Sequence, residues 1–124
     1  MPLTTQLKVE PGLLFATVTG VNEDLKGALA YMDLLTDACI AHSRRRLLVD
    51  ECHARHEESM HAAWVVAEHL TDRRITTHLD RVACVPHAYS WILARLFVHM
   101  VSTRGLHVRL FKSMDDARAW IESP

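Results

Sequence analysis

The chain is expected to be an α/β protein of order ββαβαβαβα, with a mixed, mostly parallel five-stranded sheet opened by an antiparallel hairpin. Three observations predict this. Residues 87–122 run through helix, glycine, strand, cap and helix. The short apolar runs Leu47–Val49 and Val82–Val85 lack the alternation of a half-exposed strand, as strands buried on both faces do. Pro11-Gly12 separates two β-like runs near the start, which is a hairpin signal. Strands that alternate with helices then pair in parallel through right-handed crossovers.

The hairpin strands are read as Gln6–Glu10 and Leu13–Thr19. In the second, Leu14, Ala16 and Val18 alternate with Phe15, Thr17 and Thr19, and Gly20 is expected to end it. Asn22 reads as an N-cap, with Glu23 and Asp24 in a first turn whose dipole favours acid. Leu25, Ala28, Leu29, Met32, Leu35 and Cys39 then keep helical spacing on one face, and the helix runs to about Ser43. The strand Leu47–Val49 ends in Asp50-Glu51, and Cys52–Glu58 carries no clear periodicity.

From Ser59 to about Leu70, Met60, Ala63, Trp64, Ala67 and Leu70 form a second helical stripe. Residues 71–80 read as a polar connection, and Val82–Val85 as a buried strand stopped by Pro86. Pro86 is expected to open a helix over 87–103, where a missing N–H costs nothing. Gly105 stands where helix turns to strand, a place that often needs positive φ. Leu106–Phe111 is the last strand, and Ser113 with Asp115 and Asp116 opens a helix closing on Trp120-Ile121.

The length of 124 residues and the 49% hydrophobic content suit a single domain, 1–124, with one core. A formal charge of −1 gives no basis for nucleic-acid binding, which draws on a basic face. The one basic cluster, Arg44-Arg45-Arg46, falls between a helix and a strand and reads as a solvated helix end. Three cysteines, Cys39, Cys52 and Cys84, show no paired spacing, which suits free thiols in a reducing compartment. There is no secretion signal and no apolar run of membrane-spanning length, so a cytoplasmic location is expected.

The densest chemistry lies between Asp50 and His61. Cys52, His53, His56, Glu57 and His61 all carry metal-ligating atoms. His56 and His61 are five residues apart rather than four. On a helix that separates them by about 500°, off the shared face of a zinc-protease motif. His53, Glu57 and His61 would share a face only if the helix began early. Cys52 with a neighbouring histidine could act as a nucleophile, whereas Asp50 and Glu51, adjacent on a strand, point to opposite faces. The four glycines are scattered, so there is no phosphate loop. No cofactor or metal is expected. The segment gives Asp50, Cys52, His53, His56 and Ser59 as candidate binding residues.

The 87–103 helix carries more apolar surface than one buried face needs. It is expected to lie in a homodimer interface, with Trp91, Leu93, Phe97 and Met100 as candidate contacts, or to line an apolar ligand cavity.

Leu47-Leu48-Val49-Asp50-Glu51, Arg81–Val85, and Arg104–Phe111 followed by Asp115-Asp116-Ala117-Arg118-Ala119-Trp120-Ile121 together resemble the SpoIIAA-like family, small bacterial proteins of the STAS/SEC14-like group. The resemblance spans nearly the whole chain. It implies a hairpin followed by parallel β-α units, and a binding or signalling module rather than an enzyme. In anti-sigma-factor antagonists of this fold a kinase phosphorylates a serine that follows an Asp-Ser pair and precedes a glycine. That pattern falls here on Glu58, Ser59, Met60 and His61, so the acceptor position is Met60 and Ser59 is the neighbouring hydroxyl, near a helix N-terminus where phosphate is tolerated. The reading is therefore a non-enzymatic module with a protein partner or a small apolar ligand. The alternatives are a metal- or thiol-dependent enzyme at Cys52–His61 and a carrier of a small apolar ligand or lipid.

Overall fold

The computed structural model describes all 124 residues. In chain order the elements are β1 (Thr4–Glu10), β2 (Leu13–Asn22), α1 (Leu25–Ala41), β3 (Arg46–His56), α2 (Met60–Asp72), β4 (Arg81–Pro86), α3 (Trp91–Ser102), β5 (Val108–Leu110) and α4 (Met114–Glu122). Short 3-10 turns stand at Ile75–Thr77 and Ala88–Ser90. The five strands lie side by side in sequence order. β1 and β2 are antiparallel, and β2–β3, β3–β4 and β4–β5 are parallel, so the expected α/β class, element order and hairpin are present.

Alternation along the strands builds two cores. Leu14, Ala16 and Val18 of β2 and Leu47 and Val49 of β3 meet Leu35 of α1, Val66 and Leu70 of α2 and Val101 of α3. On the other face Leu13, Leu48, Ala83 and Val85 meet Ala117 and Ile121 of α4. The three crossover helices thus cover one face and α4 the other. Full burial of a side chain such as Ile121 contributes about 1.5–3 kcal/mol.

Several boundaries differ from the sequence reading. Gly20 does not end β2. It takes φ +105° inside the strand, which continues to Asn22. A Cβ there would collide with the carbonyl of Pro2, so the position needs glycine for space as well as for φ. The α1 cap is Asp24, whose side chain accepts from Gly27 N at 2.7 Å, while Asn22 donates its amide to Asp24 O. Pro86 is the last residue of β4 rather than the first of a helix, and the 87–103 segment divides into a 3-10 turn and α3. His87 turns the chain there: its Nδ1 accepts from Tyr89 N at 2.9 Å. Gly105 takes φ +93° as expected, and β5 is confined to Val108–Leu110.

The Arg44-Arg45-Arg46 cluster consists of structural ties. Arg44 donates to Glu10 O, Arg45 pairs with Asp80 at 2.9 Å, and Arg46 donates to Ile121 O and Ser123 O. The last of these draws the end of α4 onto the sheet.

The largest departure is in β3. It does not stop at Glu51 but runs through Cys52–His56. Thr17 faces Asp50 and Thr19 faces His53, so β3 holds one extra residue there, a β-bulge. The Cys52 N–H donates to Asp50 Oδ1 at 3.0 Å. Side chains flip parity across the bulge, so Ala54 joins Val49 in the helix-layer core although five residues separate them.

Candidate functional site

The bulge has a chemical consequence. On a regular strand Glu51 and His56, five apart, would face opposite sides of the sheet. The extra residue brings both to the three-helix side, beneath α1 and α3. His56 Nε2 lies 3.2 Å from Glu51 Oε2, and its Nδ1 lies 3.0 Å from Glu58 Oε1. The Tyr31 hydroxyl of α1 donates to Glu51 Oε2, and the Cys84 thiol of β4 lies 3.7 Å from Glu51 Oε1. Ser90, buried in the turn before α3, accepts from the His56 backbone N–H at 2.9 Å.

The electrostatics follow from burial and pairing. Burial opposes the charge on His56, but the Glu51 carboxylate and the hydrogen bonds that the imidazolium donates to Glu51 and Glu58 outweigh it and raise the imidazole to about 10. Burial likewise works against the Glu51 carboxylate. The His56 cation, with hydrogen bonds from His56, Tyr31 and Cys84, outweighs it and lowers Glu51 below the ordinary value. Burial, then the Glu51 charge, push the Tyr31 phenol and the Cys84 thiol well above their ordinary values. Both therefore stay protonated as hydrogen-bond donors. An imidazolium with each nitrogen donating to a carboxylate has no lone pair with which to accept a proton.

This cluster is the polar end of a cavity between α3 and the sheet. The cavity has a volume of about 120 Å³ and is lined by 24 residues, 20 of them hydrophobic. The four polar ones are Glu51, His56, Glu58 and Ser90. Leu93, Ala94, Phe97 and Val98 of α3 form one wall, and Val49, Val82 and Leu110 lie on the sheet side. These four α3 residues are part of the apolar excess of the helix; Trp91, Ile92, Leu96 and Met100 lie outside the lining, and Val101 is the one residue of the helix that is fully packed away.

The sequence candidates are scattered. Asp50 and Cys52 lie on the α4 side of the sheet, where Cys52 packs against the smaller core. Burial and the Asp50 carboxylate push the Cys52 thiol up to about 11, and Cys52 and His56 are separated by the sheet. His53 and His61 are exposed. No group of three or more His, Cys, Asp or Glu side chains is spaced to hold a metal ion. Ser59 is the N-cap of α2, its Oγ accepting from Ala62 N at 3.1 Å. Of the five candidates only His56 reaches the cavity.

Leu93 and Phe97 also reach it, Met100 packs against the main core, and Trp91 lies under the Lys112 ammonium at 5.6 Å. The exposed apolar residue of α3 is Ile92. Tyr31, Cys84 and Ser90 are not among the sequence candidates because each resembles ordinary core or turn. The available signal was Ala54, a small residue within a polar run, which marks that run as a strand with one buried face.

No protein-family model matches the chain, and no curated protein matches it by sequence. Solved structures do match. An uncharacterized protein of the DUF3478 family with a SpoIIAA-like fold, from Shewanella loihica PV-4, is 18% identical with a TM-score of 0.59, covering 97% of this chain and 94% of that one. An anti-sigma factor antagonist from Mycobacterium paratuberculosis is 16% identical, also with a TM-score of 0.59, covering 98% of this chain and 95% of that one. At these identities the likeness is one of architecture. With the hairpin, the three parallel β-α units and the C-terminal α4 as described, the fold of this chain is SpoIIAA-like.

Proposed function

We propose that the chain is a non-enzymatic binding module whose ligand is a small, largely apolar molecule held between α3 and the sheet. The observation that carries this reading is the cavity of about 120 Å³ with 20 hydrophobic residues in its lining. An apolar cavity of about 150 Å³ admits benzene, so this somewhat smaller space is on the scale of one small ring or a short alkyl chain and far below that of a whole lipid. The polar end supports binding over catalysis: its imidazolium is held by two carboxylates, and its thiol and phenol are protonated. No helix is long and apolar enough to cross a membrane.

Toluene binding tests the reading. Toluene at ten times its dissociation constant raises the melting temperature of the wild-type protein by several degrees, through mass action on the folded state. Ala94→Phe, which fills the cavity from α3, abolishes the shift. A wild-type protein that toluene does not stabilise contradicts the reading.

A second reading, docking of a protein partner or second copy beside the cavity, is favoured by Tyr89 in the turn before α3 and Ile92 in its first turn, which are 64% and 84% exposed. The anti-sigma factor antagonist of the same fold makes a signalling role a natural one for such a surface. Light scattering on wild type and Ile92→Asp tests for self-association there.

A further inference from the structure

One polar atom in the cavity lining has no partner. Glu58 is 8% exposed through its side chain; its Oε1 is bonded to His56, while Oε2 is buried and makes no hydrogen bond. The other buried polar atom without a partner, Arg55 Nε, belongs to a guanidinium that pairs with Glu57 at 2.7 Å and stacks 4.0 Å from the Tyr89 ring. Arg55 and Tyr89 do not line the cavity, but Glu58 does. A desolvated carboxylate oxygen is costly to leave unmade, so the site is incomplete as an apolar pocket.

The remaining groups at this end define what would complete it. Tyr31 and Cys84 already spend their protons on Glu51, and Ser90, whose Oγ accepts from the His56 backbone, makes no hydrogen bond to Glu58 Oε2. One imidazolium faces two carboxylates, leaving an excess of one negative charge. A further anion would meet that excess and could offer Glu58 no proton. A neutral hydroxyl could donate to Oε2. An ammonium could donate and also balance the charge.

We propose that the cavity takes a compact alkyl- or arylalkyl-ammonium, its hydrocarbon part against α3 and its N–H donor on Glu58 Oε2. This rests on the reading of the cavity as a ligand site and specifies the ligand's polar group. Hydrocarbon contact provides the affinity, and Glu58 provides the choice of head group.

The test is isothermal titration of the full chain at pH 7 with benzylamine, benzyl alcohol and benzoate, which share a ring and differ in the head, and with toluene as the headless reference. Wild type binds benzylamine at least tenfold more tightly than benzyl alcohol and shows no detectable heat with benzoate. Glu58→Gln, which keeps an acceptor but removes the charge, brings the amine-to-alcohol ratio close to one. Benzoate binding as tightly as benzylamine overturns the proposal, and this comparison needs no variant to fold. An amine preference that survives in Glu58→Gln overturns it as well. Toluene binding without head-group preference removes this proposal and leaves the cavity reading intact. Failure of all four probes removes both.

Discussion

The buried Glu51–His56–Glu58 cluster makes stability depend on pH in a defined direction. His56 is raised to about 10 in the folded protein from an ordinary value of 6.5. The folded state therefore holds its proton more tightly than the unfolded chain does. The stabilisation is fully present below pH 6.5 and is lost as pH rises through the folded value. Between pH 6.5 and 8.5 the loss integrates to about 2 kcal/mol, since each pKa unit is worth about 1.4 kcal/mol and the slope is only half developed at the lower limit.

Other groups titrate on the alkaline side, so a reference variant is needed. Glu51→Gln/His56→Gln removes the ion pair at 3.2 Å, retains similar shapes and leaves Glu58 in place. Urea denaturation at both pH values, for wild type and the double variant, isolates the cluster. The wild type loses about 2 kcal/mol more than the variant across this window. Parallel pH profiles would show that His56 is not held as a cation, and the electrostatic account of the site would fail. His56→Gln alone costs about 3–5 kcal/mol at pH 6.5, because it leaves Glu51 buried without its counter-charge.

Ser59→Ala removes the α2 cap and lowers stability by about 1 kcal/mol in chemical denaturation, and an unchanged stability would contradict the capping role. Gly20→Ala combines positive φ with a clash on Pro2 O and costs about 2 kcal/mol or more, read as a lower melting temperature. Ile121→Ala empties a fully buried site beneath α4 and costs about 2–5 kcal/mol, whereas a loss below 1 kcal/mol would mean that α4 is not docked on the sheet.

Sequence patterning located the framework because burial on this sheet follows simple alternation. Leu14, Ala16 and Val18 against Phe15, and Leu47 and Val49 against Leu48, separate into the two cores as their spacing implies. The cap at Ser113 and the turn at Gly105 were equally readable, each having a local reason. The polar half of β3 was not. Its side chains alternate in one phase before the bulge and in the other after it, and the residue count alone does not mark the phase change. Reading Cys52–Glu58 as non-periodic placed the candidates on a loop, whereas the strand sends Cys52 and His56 to opposite sides of the sheet. Tyr31 lies on α1 outside the stripe read from Leu25 to Cys39, and only the fold reveals its partner Glu51. The α3 excess was visible as composition, but which of its residues line the cavity depends on how the helix is laid on the sheet.

The measurement that bears most directly on the cavity as a ligand site is the set of intermolecular NOEs from toluene to the methyl groups of isotopically labelled protein. Cross-peaks to Leu93, Val98 and Leu110, which line the space from both α3 and β5, are the predicted result. Cross-peaks to the exposed Ile92 alone, or none at all, would contradict it.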